Sequence, residues 1–362
     1  MTTALLEQTT RQQLWTGSVI DVDVHANVPR IEALFPYLDE LWVDWIIERG
    51  WRGTAMPNYH YPPMSERAAR REWRSADAPP ASSVSQLQQH ILDPWQVERA
   101  IVNCYYGIDG LRHPDWAAAM VRAVNDWLID QWLSKDDRLR ASLVIPSRDP
   151  AAMIEEIRRV GDHPGFVQVF LPSRSDTLWG QRMYHDVFRE IAARDLVVGL
   201  HYGGTTEGAP SSNGYANYLV EQYGAEWQSF ATQVTSMIAE GVFSNIPDLR
   251  VSVLEGGFIW FPIWGWRMNK EWKGLRREVP WLDKWPLEVL RDHFRFSTAP
   301  IDAGPPELME KALKWLGSDD MLMFATDYPH RHDDDIAEFL SLLSPAARQK
   351  MMADNAREWY RL

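Results

Sequence analysis

Acidic and imidazole side chains alternate with apolar residues near the start of this chain. Asp21, Asp23 and His25 are each separated by one valine. A β-strand repeats every two residues, so the three polar side chains would share one face. Carboxylates and imidazoles are common protein ligands of divalent metal ions. The stretch therefore predicts one wall of a metal site.

Three further strand ends carry side chains of the same kind. His201 follows the predicted strand five, Glu255 follows strand six, and Asp327 and His330 follow strand eight. A single histidine after a strand is common, but acids and histidines at four strand ends indicate one shared site. The predicted metal ligands are Asp21, Asp23, His25, His201, Glu255 and Asp327, and the predicted catalytic groups are Asp327, Glu255 and His330.

An alternation of short apolar strands with helical segments would bring these strand ends together. The predicted strands are residues 19–24, 98–103, 139–145, 166–171, 196–200, 249–254, 294–298 and 321–325. This alternation predicts an α/β fold, a (β/α)8 TIM barrel, whose active site lies at the carboxyl ends of the strands. A doubly wound open sheet is the alternative. It is disfavoured because neither G-x-G-x-x-G after strand one nor G-x-x-x-x-G-K-[ST] is present.

One long irregular segment interrupts the alternation. Residues 53–90 follow the first strand and helix and contain five prolines. Long irregular segments within compact domains are typically functional. We predict a lid or interface arm inserted into a single domain of residues 1–362. Aromatic residues here and after strand six are expected to line an apolar pocket. The predicted substrate-binding residues are Tyr59, His60, Tyr202, Trp260 and Arg267.

Composition limits the partners of the chain. A net charge of −13 disfavours nucleic acid, and no apolar run approaches the roughly 18 residues of a membrane span. The first residues lack a signal-peptide pattern, and a single cysteine, Cys104, cannot form an internal disulfide. We expect a cytoplasmic protein with a small-molecule substrate and without a nucleic-acid or membrane partner. The long insertion and 19 tryptophans favour a homodimer or a heteromer with a related chain.

The motifs as a set resemble the amidohydrolase superfamily, in its branch of aminocarboxymuconate semialdehyde, γ-resorcylate and 5-carboxyvanillate decarboxylases. They are Asp-Val-Asp-Val-His at 21–25, Gly-Leu-His at 199–201, Asn-Ile-Pro-Asp-Leu at 245–249, Thr-Asp-Tyr-Pro-His at 326–330 and Asn-Ala-Arg-Glu-Trp-Tyr at 355–360. The resemblance implies a distorted barrel with a divalent ion held by Asp23, His25, His201 and Asp327. It also implies that the last aspartate orients or deprotonates a metal-bound water.

Two positions depart from that family pattern. Glu255 stands where the decarboxylases have a catalytic histidine, and Asp21 and Asp23 both precede His25 where their strand one usually has a His or Glu before x-His. Separately, strand four lacks the lysine whose carbamate bridges two metals in many superfamily hydrolases. The surplus of carboxylates favours Fe or Mn and predicts a pair of ions, as in the dinuclear members of the superfamily that this chain resembles. Zn is the alternative. His330 and His332 would add nitrogen ligands.

Four functions remain open from the sequence. The main prediction is hydrolysis of an amide or thioester by a metal-bound water. The first alternative is an O2-dependent Fe or Mn monooxygenase that resembles an amine N-hydroxylase. The others are a Zn-dependent non-oxidative decarboxylase and a metal-poor scaffold subunit of a heteromer.

Overall fold

Eight parallel strands form the centre of the protein. The computed structural model describes residues 15–53, 69–76, 78–204, 214, 216–302 and 304–362. Each strand pairs in parallel with the next along the chain. The strands are β1 (Val19–His25), β2 (Val97–Asn103), β3 (Leu139–Leu143), β4 (Phe166–Arg174), β5 (Val197–Gly204), β6 (Val251–Leu254), β7 (Phe294–Ser297) and β8 (Leu322–Met323). The predicted eight-stranded barrel is confirmed.

The barrel closes where the first strand meets the segment after the last. Val24 and Tyr328 form an isolated parallel bridge. The His25 N–H donates to the Tyr328 carbonyl at 2.8 Å, and the Asp327 N–H donates to the Asp23 carbonyl at 3.0 Å. These bonds place the carboxyl ends of β1 and β8 side by side, which is where the sequence analysis placed metal ligands.

Helices connect and cover the strands. They are α1 (Glu40–Arg49), α2 (Val84–Leu87), α3 (Pro114–Leu128), α4 (Pro150–Val160), α5 (His185–Ala193), α6 (Leu219–Ala225), α7 (Trp227–Ala239), α8 (Val242–Asn245), α9 (Trp260–Leu275), α10 (Pro286–His293), α11 (Pro306–Leu316), α12 (Ile336–Ser341), α13 (Pro345–Gln349) and α14 (Asn355–Tyr360). All seven residues of β1 are buried. Burial on both faces is typical of parallel strands, because helices cover the outer face.

The C-terminal helix contributes to the barrel interior. Trp359 and Tyr360 join an apolar cluster with residues from five of the strands. The Tyr360 hydroxyl donates to Gln168 Oε1 on β4 at 2.7 Å. The C-terminal helix is therefore hydrogen-bonded directly to a strand of the barrel.

The described part of the predicted insertion lies against the barrel mouth. The Arg70 N–H donates to the Pro329 carbonyl at 3.1 Å, and the Asn27 N–H donates to the Ala81 carbonyl at 2.7 Å. Residues 54–68, and with them Tyr59 and His60, lie outside the described residues. The role of the insertion as a lid or interface arm stays a prediction. In the described ranges, no helix combines the length and the apolar character needed to cross a bilayer.

Candidate metal centre

Four buried side chains from three parts of the barrel converge at its mouth. Asp23 and His25 lie on β1, His201 lies on β5, and Asp327 follows β8. Each offers one ligand atom, and these atoms all lie within 4.8 Å of one another. We call these four residues the metal group. They are the residues that the family resemblance implied as ligands.

The contacts inside the metal group connect each imidazole to a carboxylate. His25 Nε2 lies 2.8 Å from Asp327 Oδ1, and His201 Nε2 lies 3.3 Å from Asp23 Oδ1. The other ring nitrogen of His201, Nδ1, lies 2.7 Å from the Tyr202 carbonyl. A carbonyl oxygen can only accept a hydrogen bond, so Nδ1 carries the hydrogen and donates it. His201 Nε2 is thereby left available as a ligand atom.

Asp23 provides a direct test of whether the group fits a cation. Its Oδ1 accepts a hydrogen bond of 2.7 Å from Asn103 Nδ2. Its Oδ2 is buried and has no hydrogen-bond partner among the described residues. An unsatisfied buried carboxylate oxygen is costly, and a bound cation would remove that cost. The donor set of two carboxylates and two imidazoles fits a divalent transition metal such as Mn, Fe or Zn.

Asn103 ends a chain of buried hydrogen bonds beneath the metal group. Its Oδ1 accepts from Ser142 Oγ at 2.5 Å and from Gln168 Nε2 at 3.2 Å. These contacts orient the amide so that its N–H points at Asp23. Asn103 was not among the predicted site residues, because only acids and histidines at strand ends were counted as ligands. Its position at the end of β2 is the same signal that identified the other residues.

A second group shares Asp327 with the metal group. Glu255, Asp327 and His332 also offer ligand atoms within 4.8 Å of one another. His332 Nε2 lies 2.5 Å from Asp327 Oδ2, while Asp327 Oδ1 faces His25. The His330 ring lies 4.7 Å from the His25 ring. Of the predicted catalytic residues, Asp327 therefore belongs to the metal group, and Glu255 and His330 lie next to it.

Electrostatics and backbone conformation both mark Asp327 as unusual. Burial raises its pKa, but the charge of His330 and hydrogen bonds from His25 and His332 hold that pKa well below the usual range. Asp327 and Glu255 have backbone φ angles of 52° and 53°. Left-handed backbone at residues other than glycine costs about 1–3 kcal/mol and persists where surrounding contacts hold it. Both residues are thus fixed at the barrel mouth at some cost to stability.

Asp21 does not join the metal group, contrary to the prediction. Its Oδ1 accepts from the backbone N–H groups of Asp23 and Thr326, each at 3.1 Å, and its Oδ2 accepts from Thr326 Oγ1 at 2.6 Å. Burial raises the pKa of Asp21 to about 7. The pairing register between β1 and β2 shifts between Asp21 and Val24. This irregularity breaks the alternation on which the prediction depended.

Two predicted substrate-binding residues have other roles in the structure. The exposed side chain of Arg267 pairs with Glu271 at 2.9 Å on the surface of α9, so it does not reach the site. The Trp260 indole N–H donates to the carbonyls of Gly256 and Gly257 at 3.0 and 3.2 Å, which supports the loop after β6. Periodicity alone did not show which face of α9 meets the barrel.

Aromatic side chains form a wall beside the metal group. The Phe170 ring lies 5.0 Å from the His201 ring, and the Tyr105 ring stacks on Phe170 at 5.6 Å and 26°. Tyr202 stacks on Tyr223 at 5.4 Å and 7°. Flat apolar surfaces of this kind suit a planar, aromatic ligand. An aromatic lining was predicted from the sequence, but of these four residues only Tyr202 was among those predicted.

Comparison with known proteins identifies relatives across most of the chain. The amidohydrolase family profile matches residues 20–362. A γ-resorcylate decarboxylase of Rhodococcus jostii (strain RHA1) is 25% identical over 295 residues, which cover 77% of this chain and 88% of that protein. The crystal structure of a Rhizobium 2,6-dihydroxybenzoate decarboxylase superposes with a TM-score of 0.69 at 18% identity, covering 96% of this chain and 99% of that one.

A third relative carries a metal ion. The structure of a dihydroxybenzoic acid decarboxylase from Polaromonas sp. JS666, with bound manganese and the inhibitor 2-nitroresorcinol, superposes with a TM-score of 0.67 at 18% identity. The match covers 96% of this chain and 98% of that one. These solved structures support the fold of this chain.

The relatives overturn the main functional prediction. Hydrolysis of an amide or thioester finds no support, because the relatives named above are decarboxylases. The predicted monooxygenase activity, the preference for iron and the dinuclear site find no support among them either. The error arose from Glu255, since a surplus carboxylate was read as evidence for a second ion and a metal-activated water. The decarboxylase alternative agrees best with the relatives.

Proposed function

Because this chain belongs to the amidohydrolase family, we propose that it is a metal-dependent enzyme that removes a carboxyl group from a hydroxylated aromatic acid without oxidation. The observation that carries the proposal is the position of Asp327 between two groups. One carboxylate oxygen faces His25 in the metal group, and the other contacts His332. A metal site and a proton-holding pair are thereby joined through a single side chain.

Asp23, His25, His201 and Asp327 would hold one divalent ion. Manganese is favoured because a decarboxylase relative was solved with it, and Zn and Fe fit the same donors. When bound, the ion supplies positive charge that binds and orients the oxygen atoms of the substrate. The unsatisfied Asp23 Oδ2 supports such a site independently of the relatives.

Decarboxylation requires a proton at the carbon that loses its carboxylate. The bond between the ring carbon and the carboxylate carbon breaks, its electron pair takes up a proton, and CO2 leaves. The hydrogen bond between His332 and Asp327 contains a proton at the edge of the metal group. We assign this pair as the proton donor. Glu255, in the same group, is assigned as the residue that restores the proton to the pair after each turnover.

The aromatic wall supports an aromatic acid as the substrate. The rings of Phe170 and Tyr105 lie beside His201 and provide a flat surface for a substrate ring. Hydroxybenzoates, whose hydroxyl groups stabilise charge on the ring during protonation, are the class named for the relatives. The proposal therefore assigns the same general class to this chain.

Parallel assays with and without O2 test the proposed reaction. Protein stripped of metal and reloaded with Mn²⁺ is incubated with a panel of mono- and dihydroxybenzoates, and the products are identified by proton NMR. We expect a phenol and CO2 from at least one acid, no need for O2, and no reaction in metal-stripped protein. A product that appears only with O2, or no loss of any carboxylate by loaded protein, would contradict the proposal.

A further inference from the structure

Arg174 is a largely buried cation at the mouth of the barrel. It is the last residue of β4, and 12% of its side chain is exposed. The structure records no hydrogen bond from its guanidinium to another described residue, and its Nε is buried without a partner. The nearest carboxylate oxygen, Glu226 Oε1, lies 3.6 Å from Nε, which is too long for a hydrogen bond.

Glu226 is held in place by other groups. Its Oε1 accepts hydrogen bonds from Ser173 Oγ at 3.0 Å and Ser229 Oγ at 2.9 Å. Glu226 therefore balances the charge of Arg174 without using the donors of the guanidinium. A guanidinium presents five N–H groups in a planar fork that matches a carboxylate. The Nε atom is buried without a partner, and no described residue accepts a hydrogen bond from the rest of the fork, so a ligand carboxylate that fills it would bind favourably.

Aromatic stacking fixes the position of this cation. The Arg174 guanidinium lies 5.8 Å from the centre of the Tyr202 ring, which stacks on Tyr223. Gln222 Nε2 donates to the Tyr202 hydroxyl at 2.8 Å. Stacking on an aromatic face and contact with a fixed ring restrict the guanidinium, and less freedom is then lost when it binds a ligand.

The Arg174 position is connected to the site through Tyr202. Tyr202 directly follows the metal-group residue His201 on β5. In the pairing of β4 with β5, Pro172 lies opposite His201 and Arg174 lies opposite Gly204. Arg174 therefore lies just beyond His201 at the carboxyl end of the same pair of strands. A ligand spanning the site would have one end at the metal group and the other near Arg174.

We propose that Arg174 binds a second acidic group of the substrate, so that the acid processed at the metal group is an aromatic dicarboxylate. This inference rests on the proposed decarboxylase function. The carboxylate that is lost would lie at the metal group. The carboxylate that is retained would form a bidentate pair with Arg174, beside the Tyr202 ring. Glu226 would keep Arg174 in position between turnovers.

Binding of matched acids tests the inference. The probes are salicylate and its isomeric derivatives with a second carboxylate meta or para to the first, titrated calorimetrically into the Mn²⁺-loaded protein. KM replaces the dissociation constant for any acid that is consumed. We expect one dicarboxylate to bind at least about tenfold more tightly than salicylate, which is about 1.4 kcal/mol. No preference for any dicarboxylate in the wild type overturns the inference.

Variants assign the preference to Arg174. Arg174→Met is expected to abolish the preference and to leave the salicylate affinity within about twofold. Arg174→Lys keeps the charge but loses the fork, and we expect it to retain only part of the preference. Arg267→Met, at an exposed arginine on α9, serves as the matched control and should behave as the wild type. A preference that survives in Arg174→Met overturns the inference. Should that variant fail to fold, full preference in Arg174→Lys overturns it instead.

Failure of the inference and failure of the proposed function give different results. A protein that decarboxylates monocarboxylic hydroxybenzoates but binds no dicarboxylate preferentially retains its function and lacks the Arg174 subsite. A protein that binds a dicarboxylate through Arg174 but releases no CO2 from any acid has the subsite and catalyses another reaction.

Discussion

His25 Nε2 lies 2.8 Å from Asp327 Oδ1, although 302 positions separate the two residues in the sequence. The contact exists because the barrel closes between β1 and the segment after β8. The same closure brings Asp327 within reach of Asp23. The candidate metal site is thus a consequence of barrel closure, and disruption of the closure should abolish it.

Asn103 should act on metal binding through Asp23. Its N–H contacts Asp23 Oδ1 at 2.7 Å and so directs the other oxygen toward the site. We expect Asn103→Ala to weaken Mn²⁺ binding by about 10–100-fold, as removal of a residue that orients a ligand usually does. Competition with a chelator of known affinity measures this change.

Asn125→Ala provides the matched control for Asn103. Asn125 is a buried amide that bonds to Val144 and Glu156, outside the metal group. Both variants should lose about 1–3 kcal/mol of unfolding free energy, because each leaves buried groups without partners. Only Asn103→Ala should also lose metal affinity. Equal metal affinity in the two variants would show that Asn103 has a structural role alone.

Glu255→Gln should separate catalysis from metal binding. Glu255 lies with Asp327 and His332 but outside the four residues of the metal group. Loss of a group that returns a proton typically costs about 10²–10⁴-fold in rate. We expect kcat to fall by that order while the Mn²⁺ content per chain stays at the wild-type value. A variant that retains full kcat would remove Glu255 from the mechanism.

The parts of the site that depend on local signals could be predicted from the sequence. The alternation of apolar strands and helices predicted the eight strands, and their carboxyl ends indicated Asp23, His25, His201 and Asp327 as site residues. Asp21 was misplaced because a register shift in β1 leaves no trace in the hydrophobic pattern. Arg267 was misplaced because a helix with aromatic residues around much of its circumference does not show which face is buried.

The chemistry was harder to predict than the fold. A carboxylate at Glu255 is compatible with a second ion, a proton carrier or an ion pair, and its residue type alone does not distinguish these roles. Arg174 likewise carries no local signal in the sequence that would indicate its burial. Its burial depends on contacts with Tyr202 and Glu226, which come from β5 and the segment between α6 and α7.

The salt bridge between Asp136 and Arg138 predicts a dependence of stability on pH. Hydrogen bonds from Arg138, at 2.7 Å between Nη2 and Oδ2, lower the pKa of Asp136 to about 2 from an ordinary value of 3.8. Because the folded-state pKa is the lower one, the stabilisation is present above pH 3.8 and is lost as the pH falls toward 2. Urea unfolding of the wild type and of Asp136→Asn across this pH range measures the loss of stabilisation.

The two proteins should differ in unfolding free energy near neutral pH and converge at the acid end of the range. Arg138→Met removes the partner and should converge with the wild type over the same interval. A difference between wild type and Asp136→Asn that stays constant with pH would contradict the assignment.

Calorimetric titration of Mn²⁺ into metal-free protein tests the central claim most directly, because the proposed reaction depends on the metal group. The variant is His201→Ala, and the control is His163→Ala, at a histidine whose ring bonds to the Gly165 backbone outside the site. We predict one ion per chain in the wild type and the control, and binding weaker by at least about tenfold in His201→Ala. Absence of binding to the wild type, or equal affinity in His201→Ala, would contradict the account.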